Sequence, residues 1–285
     1  MKMTDKKPDW LKVKLPSGET FAEVHSLIRS QDLNTVCSSA RCPNLSECWN
    51  NRTATFMILG DHCTRNCSFC AITSGKPSPP DPDEPRRVAQ SVKALGLQYA
   101  VITSVTRDDL SDGGASHFAS TIEQIRAAAP GCLVEVLISD LQGRVEALQT
   151  IFAALPDVLN HNLETVPDLY PDVRPKSHYN RSLSVLRKAA SSGLRTKTGL
   201  MLGLGETEAQ LIEVFRDIVD SHCRLLTLGQ YLQPTRSHHP VVRYVHPDEF
   251  KRLAEIGMEM GFDHVEAGPL VRSSYHAHEQ VEGVV

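Results

Sequence analysis

A regular alternation of short apolar runs and amphipathic helical stretches restricts the fold of this chain more than any other feature. The apolar runs, which favour β-strands, cover residues 53–59, 98–105, 133–138, 157–163, 194–200, 225–231 and 263–268. Most of the helical stretches between them close with a glycine, as a helix C-terminus favours, at Gly96, Gly131, Gly193 and Gly261. Because strands that alternate with helices pair in parallel, the sequence predicts an α/β fold with helices on the faces of a parallel sheet.

Every segment rich in chemically active side chains follows or ends one of the predicted strands. These segments are DHCTRNCSFCAIT, SVTRDDLSDGG, NHNLETV, GLGET and YLQPTRSHHP. Barrels collect their active-site loops on the rim where the strands end, whereas an open doubly wound sheet concentrates its site near one switch point. We therefore predict a partial or full parallel (β/α) barrel of about six strands over residues 53–268. Residues 1–52 and 269–285 lie outside the repeat and are predicted to be N- and C-terminal extensions.

Composition and charge narrow the classes of function. The 285-residue chain is 41% hydrophobic and 22% charged, and no apolar run approaches the ~18 to 20 residues of a membrane span. The N-terminal stretch lacks the apolar segment of a signal peptide. The net charge is -4 with scattered basic residues, unlike the basic stripe of a nucleic-acid-binding protein. We expect a cytoplasmic protein that binds neither nucleic acid nor a membrane.

Six of the eight cysteines lie between positions 37 and 70. They form two sets, spaced as CxxxCxxC at Cys63, Cys67 and Cys70, and as CxxxxCxxxxxC at Cys37, Cys42 and Cys48. In a reducing cytosol such clustering indicates metal ligation rather than disulfides. The first set is too tight for the paired knuckles of a zinc finger, whereas a cubane iron-sulfur cluster with three thiolates keeps one iron open for a cofactor. A structural zinc site or three core thiols is the alternative. The remaining Cys132 and Cys223 are predicted to be inert core thiols.

The stretch DHCTRNCSFCAIT, with Phe69 before its third cysteine, resembles the signature of the radical S-adenosylmethionine (AdoMet) enzymes. In that family the open iron chelates AdoMet, and one electron cleaves it to methionine and a 5′-deoxyadenosyl radical. The second cysteine set, the lead KKPDWLKVKLPSGE, the loop CTRNCSFCAITSGKP and the motif RSSY at 272–275 make the resemblance to lipoyl synthases close. That resemblance covers about residues 7 to 277, nearly the whole chain.

The resemblance implies a specific reaction. Lipoyl synthases insert two sulfur atoms at C6 and C8 of a protein-bound octanoyl-lysine, and an auxiliary 4Fe-4S cluster donates the sulfur. It implies two 4Fe-4S clusters: a catalytic one on Cys63, Cys67 and Cys70, and the auxiliary one on Cys37, Cys42, Cys48 and the RSSY serine, assigned to Ser274 with Ser273 as the fallback. The implied partners are octanoylated carriers, namely 2-oxoacid dehydrogenase E2 subunits and the glycine cleavage H protein, and a low-potential electron donor such as ferredoxin or flavodoxin.

Side chains at the predicted strand ends are candidates for AdoMet binding. The amide and carboxylate of NHNLETV suit its amino group or ribose hydroxyls, and two basic residues suit its carboxylate. The candidates are Asn162, Glu164, Thr106, Arg174 and Lys197, with Asp109 weaker. Basic residues near strand ends are more often simple surface charges. The GLGET turn permits close approach of backbone to the adenosine but also serves as an ordinary turn.

Two other classes of function remain open on the sequence alone. One is a different radical AdoMet enzyme with an auxiliary cluster, such as a methylthiotransferase or a biotin-synthase-like sulfur inserter. A methylthiotransferase is expected to carry an added nucleic-acid-binding module, and the sequence shows none. The other is a cluster-bearing scaffold or electron carrier, which has no need of chemically rich loops at nearly every strand end.

Overall fold

The computed structural model describes residues 7–13, 17–51 and 53–282. Parts of the predicted extensions, at 1–6, 14–16 and 283–285, and Arg52 at the predicted domain boundary lie outside the described residues.

An eight-stranded sheet forms the framework of the described chain. Its strands are β1 (Asn34–Thr35), β2 (Thr55–Ile58), β5 (Tyr99–Ser104), β6 (Leu133–Leu137), β7 (Val158–Asn160), β8 (Thr196–Leu202), β9 (Leu225–Gln230) and β10 (His264–Gly268). A separate parallel ribbon pairs β3 (His62–Cys63) with β4 (Thr73–Ser74). All seven apolar runs of the sequence form strands, and all of these pair in parallel.

The strand order identifies a barrel-like winding. The sheet runs β1-β2-β5-β6-β7-β8-β9-β10, so each parallel strand lies beside the next one along the chain. A doubly wound sheet would reverse direction at a switch point, and this sheet does not. β1, which is antiparallel to β2, and β10 are the two ends of the sheet, so the barrel is partial. The predicted barrel is confirmed, with more strands than the six expected.

Helices cover the outer face of the parallel strands and build the extensions. They are α1 (Glu19–Ser30), α2 (Val36–Ser39), α3 (Leu45–Asn50), α4 (Glu84–Leu95), α5 (Ala115–Ala128), α6 (Val145–Ala153), α7 (Tyr170–Val173), α8 (Tyr179–Ser191), α9 (Glu208–Asp220), α10 (Pro247–Met260) and α11 (Glu279–Glu282). The four predicted helix-ending glycines all have positive φ, between 65° and 106°. No helix in the described ranges is long and apolar enough to cross a membrane.

Strand side chains alternate between the helix-covered face and the barrel interior. On β5, Ala100 and Ile102 belong to the core beneath the helices, whereas Tyr99 and Val101 pack inside the barrel. Cys132 and Cys223 are 6% and 0% exposed within the core, as predicted.

A cluster of four buried polar side chains lies in the barrel interior. Lys197 Nζ lies 3.1 Å from Glu135 Oε2, and both side chains are fully buried. Glu135 also accepts hydrogen bonds from the Tyr99 hydroxyl at 2.7 Å and from Asn160 Nδ2 at 2.8 Å. Lys197 is the second residue of β8, far from the end of that strand at Leu202. This placement corrects the expectation that Lys197 faces AdoMet, because its ammonium group is held by Glu135.

Candidate iron-sulfur and AdoMet sites

The CxxxCxxC loop lies at the rim, directly after β2. The β3–β4 ribbon closes the loop, and Gly75 N donates to Cys63 O at 3.0 Å. Burial, together with the nearby thiols of Cys67 and Cys63, raises the pKa of Cys70 to about 12. The three thiols are therefore close enough to influence one another's ionisation, which is consistent with ligation of one shared cluster.

Two charged residues predicted for the AdoMet site lie beside these thiols. Burial raises the pKa of Cys67, the cation of Arg174 opposes that rise, and the Glu164 carboxylate adds to it. Arg174 Nη1 donates to the carbonyls of Asn162 and Leu163 at 3.0 and 3.1 Å. Arg174 Nε is buried without a hydrogen-bond partner, so one donor remains for a ligand. A carboxylate-bearing cofactor fits this position, and Glu164 supplies an acceptor for its amino group.

The second cysteine set lines a pocket made by both extensions and the start of the first barrel strand. Its walls are Cys37, Cys42, Asn44, Cys48, Thr53, Thr55, Arg272, Ser274 and Tyr275. Burial first, and then the thiols of Cys37 and Cys42, raise the pKa of Cys48 to about 12. Three contacts join the extensions: Asn44 Nδ2 donates to Leu270 O at 2.7 Å, the Tyr275 hydroxyl donates to Glu47 at 3.0 Å, and His276 Nε2 lies 3.4 Å from Glu47 Oε1. Four potential ligands thus face one pocket.

The two serines of RSSY point to different partners. Ser274 lines the cysteine pocket, whereas the Ser273 hydroxyl accepts from Asn162 Nδ2 at 2.8 Å. This difference supports Ser274 as the ligand residue.

Among the described residues, no group of three or more His, Cys, Asp or Glu is arranged to hold one metal ion.

Other groups near the strand ends form hydrogen bonds within the protein. The backbone carbonyl of Thr106 accepts from Thr64 N and Thr64 Oγ1, at 3.0 and 2.9 Å. The carboxylate of Asp109 is paired with Arg107. In GLGET, the Glu206 carboxylate accepts from three backbone amides, those of Gly203, Leu204 and Gly205, at 2.6 to 3.1 Å.

One network beneath the cysteine loop was not predicted. Arg65, inside the CxxxCxxC motif, donates to Asp108 at 2.7 and 2.9 Å, to Asp140 at 2.6 Å and to Ser177 at 3.2 Å. Asp140 is fully buried and also accepts from Arg181 at 2.7 Å. Arg65 therefore anchors the cysteine loop to three neighbouring loops of the rim.

The loop after β9 also covers the cysteines. His238 Nε2 lies 3.0 Å from Cys70 O, and His239 N donates to Ser68 O at 2.9 Å. The sequence indicated only that these histidines belong to a loop, because nothing in their spacing points to the cysteines.

Substitution of Arg65 tests this anchor. Arg65→Lys keeps the charge but loses the planar fork that binds several acceptors at once. We expect the free energy of unfolding to fall by about 2 to 3 kcal/mol, since hydrogen bonds to charged groups contribute about that much. Iron at the CxxxCxxC site should fall as well. The measurements are chemical denaturation and iron content after reconstitution.

Arg107→Lys is the matched control for Arg65. Arg107 is also buried and forms a bidentate pair, but its hydrogen bonds go to Asp109 and Leu59 O. The control should lose stability and keep its iron. Equal iron loss in the two variants would contradict an anchoring role for Arg65.

Family profiles and sequence relatives both match this chain to lipoyl synthases. The radical SAM superfamily profile matches residues 57–218, and the profile for the N-terminal domain of lipoyl synthase matches residues 2–42. The chain is 56% identical over 278 residues to lipoyl synthase of Rubrobacter xylanophilus, covering 97% of this chain and 87% of the relative. It is 54% identical over 277 residues to lipoyl synthase of Caldanaerobacter subterraneus subsp. tengcongensis, covering 96% and 97%.

Solved structures show the same fold. The FeFe-hydrogenase maturase HydG from Carboxydothermus hydrogenoformans aligns with a TM-score of 0.58 and 13% identity over 93% of this chain and 78% of that chain. Methylornithine synthase aligns with a TM-score of 0.55 and 14% identity over 87% and 71%. The solved structures show the fold of this chain, and the sequence relatives show its family. The chain therefore belongs to the lipoyl synthase family, whose members are radical AdoMet, sulfur-inserting enzymes that use AdoMet and 4Fe-4S clusters.

Proposed function

We propose that the chain inserts two sulfur atoms, at C6 and C8, into an octanoyl chain carried on a lysine of a lipoyl carrier domain. One observation carries the proposal: two separate sets of three thiols converge in one chain, and Ser274 lines the second. A single radical cluster accounts for only the first set. The lipoyl synthase name of relatives that match nearly the whole chain supports the specific reaction.

The bound groups supply the difficult chemistry. Cys63, Cys67 and Cys70 would hold the first cluster, which would supply the electron for reductive cleavage of AdoMet, and Arg174 and Glu164 would bind and orient AdoMet beside it. A cluster on the second set would supply sulfur.

The second site places a weak ligand beside three strong ones. Cys37, Cys42 and Cys48 offer soft thiolates, and Ser274 offers a hard oxygen, which is the more easily replaced on iron. A replaceable ligand suits a cluster that is taken apart during turnover. Arg272 lines the same pocket and is a further candidate contact.

The domain organisation follows from these roles. We assign residues 1–52 to an extension that carries the auxiliary cysteines, 53–268 to the radical AdoMet barrel, and 269–285 to an extension that carries RSSY. Contacts such as Asn44 to Leu270 O support an auxiliary site built by both extensions.

The partners are proposed from the reaction. The carriers are octanoylated E2 subunits of 2-oxoacid dehydrogenases and the glycine cleavage H protein, and the electron donor is of the ferredoxin or flavodoxin type. A cytoplasmic location suits the eight free cysteines, because reducing compartments keep thiols available for clusters.

Ser274 variants test the fourth ligand of the auxiliary site. Ser274→Ala should still assemble a cluster on three thiolates but lose iron readily and fail at sulfur transfer. Ser274→Cys should hold iron at least as well, because thiolate is the better iron ligand, yet transfer less sulfur if the fourth ligand must leave. The measurements are iron content and sulfurated product per enzyme. Near-wild-type turnover in Ser274→Ala would remove Ser274 from the ligand set.

Iron, acid-labile sulfide and AdoMet cleavage test the proposed function against its alternatives. Anaerobically reconstituted protein should hold about eight irons, as two four-iron clusters require, and should form 5′-deoxyadenosine with a strong reductant. Two clusters without AdoMet cleavage would favour an electron carrier. Cleavage without sulfuration of an octanoyl-lysine peptide would favour another radical AdoMet enzyme.

A further inference from the structure

The Asn162 side chain makes a long-range contact that ligand binding does not explain. The Ser273 hydroxyl lies 2.8 Å from Asn162 Nδ2 and 3.1 Å from Asn162 Oδ1, across 111 positions of sequence. Asn162 follows β7 at the rim, and Ser273 immediately precedes Ser274. A residue on the AdoMet side of the barrel is thus bonded to the neighbour of the proposed auxiliary ligand.

The same amide also reaches the AdoMet side. Burial raises the pKa of Glu164, and the Asn162 side chain opposes that rise. The Glu164 carboxylate in turn helps to raise the pKa of Cys67 and Cys70. Asn162 therefore lies between the surroundings of the CxxxCxxC loop and Ser273, to which it is hydrogen-bonded.

Two strand glycines make room for the C-terminal segment at this position. A Cβ at Gly199 on β8 would lie 2.9 Å from Asn162 Oδ1 and 3.2 Å from Ser273 Oγ. A Cβ at Gly229 on β9 would lie 2.2 Å from Val271 O. Glycine inside a strand often marks close approach of another backbone, and at Gly229 that backbone is the segment before Ser274. At Gly199 the space is taken by side chains, those of Thr227, Asn162 and Ser273.

We propose that Asn162 and Ser273 are positioning residues: their hydrogen bond, with the space left at Gly199 and Gly229, fixes Ser274 at the auxiliary pocket. The inference deepens the proposed function and rests on it for the role of Ser274. It also gives Asn162 a task apart from direct contact with AdoMet. Ser273 acts through its neighbour and binds no iron itself.

Iron release from resting protein measures this positioning. Reconstituted wild type, Asn162→Ala, Ser273→Ala and the double variant would be mixed with a ferrous chelator, without substrate. We expect auxiliary iron to leave about tenfold faster in each single variant, the effect of losing a hydrogen bond or two. In Ser273→Ala the AdoMet-responsive EPR signal should persist. The double variant should be no faster than the singles, because both substitutions break one interaction.

Ser221→Ala is the matched control. Its hydroxyl is fully buried and donates one hydrogen bond, to Ile218 O at 2.7 Å, after α9. This variant should release iron at the wild-type rate. Rates within twofold of wild type in both Asn162→Ala and Ser273→Ala, or fully additive effects in the double variant, would overturn the proposal.

Hydrogen exchange in the metal-free protein provides a second test that needs no cluster. Amides of residues 269–277 should exchange faster in Ser273→Ala, Asn162→Ala and Gly229→Ala than in wild type or Ser221→Ala. Unchanged exchange in all three variants would overturn the proposal even if wild type sulfurates its substrate. Faster exchange in the variants, together with a wild-type protein that makes no sulfurated peptide, would instead support the positioning role and reject the proposed function.

Discussion

Cys67→Ala is expected to abolish reductive cleavage of AdoMet. The thiol lies among the converging sulfurs of the rim loop, close to both Arg174 and Glu164. With two thiolates left, the first site cannot hold a cluster that keeps only one iron open. We expect no measurable 5′-deoxyadenosine and loss of about four irons per chain, the content of one cluster. The measurements are chromatography of the nucleoside and iron analysis.

Cys132→Ala is the matched control for this result. Cys132 is a buried thiol outside both sets and packs in the core beneath the helices. It should keep full iron content and AdoMet cleavage. Retained cleavage in Cys67→Ala would show that the radical cluster is held by the other set of cysteines.

Cys42→Ala is expected to separate radical formation from sulfur transfer. Cys42 faces the pocket that Ser274 and Arg272 also line, in the extensions rather than in the rim loop. Its loss leaves Cys63, Cys67 and Cys70 intact, so reductive AdoMet cleavage should continue. The variant should yield no sulfurated peptide, because the site that holds the sulfur donor has lost a ligand.

Paired assays on one sample distinguish the outcomes for Cys42→Ala. 5′-Deoxyadenosine is measured beside the mass of an octanoyl-lysine peptide, with Cys132→Ala as the reference. Sulfurated peptide from Cys42→Ala would reject the auxiliary cluster as the sulfur source.

The elements with strong local signals were predictable from the sequence. The strand Leu225–Gln230 is rich in leucine and fully buried, and Gly96 ends α4 with the left-handed φ that its position requires. The two-residue strands β1, β3 and β4 were not predicted, because such short pairings depend on tertiary context rather than on propensity.

The parts of the site that depend on residues close together in the sequence were predictable. The two cysteine sets are recognisable within a few residues each, and the resemblance pointed to Ser274. Contacts between residues that are distant in the sequence were not predictable. Arg65 and Asp140 are 75 positions apart, and Lys197 and Glu135 are 62 apart. A basic residue near a strand end looks the same in sequence whether it faces a cofactor or a buried carboxylate. For this reason the sequence suggested that Lys197 faces AdoMet, whereas the structure pairs it with Glu135.

The most direct test of the account is mass spectrometry of an octanoyl-lysine carrier peptide in a single turnover. The enzyme would be reconstituted with isotope-labelled sulfide and incubated with AdoMet and a strong reductant, with no sulfide left in solution. We predict that the wild-type product carries two added sulfur atoms, both labelled, and that Cys42→Ala yields no sulfurated product. A wild-type product with unlabelled sulfur, or none despite active AdoMet cleavage, would contradict the claim that the second cysteine site of this chain supplies the sulfur.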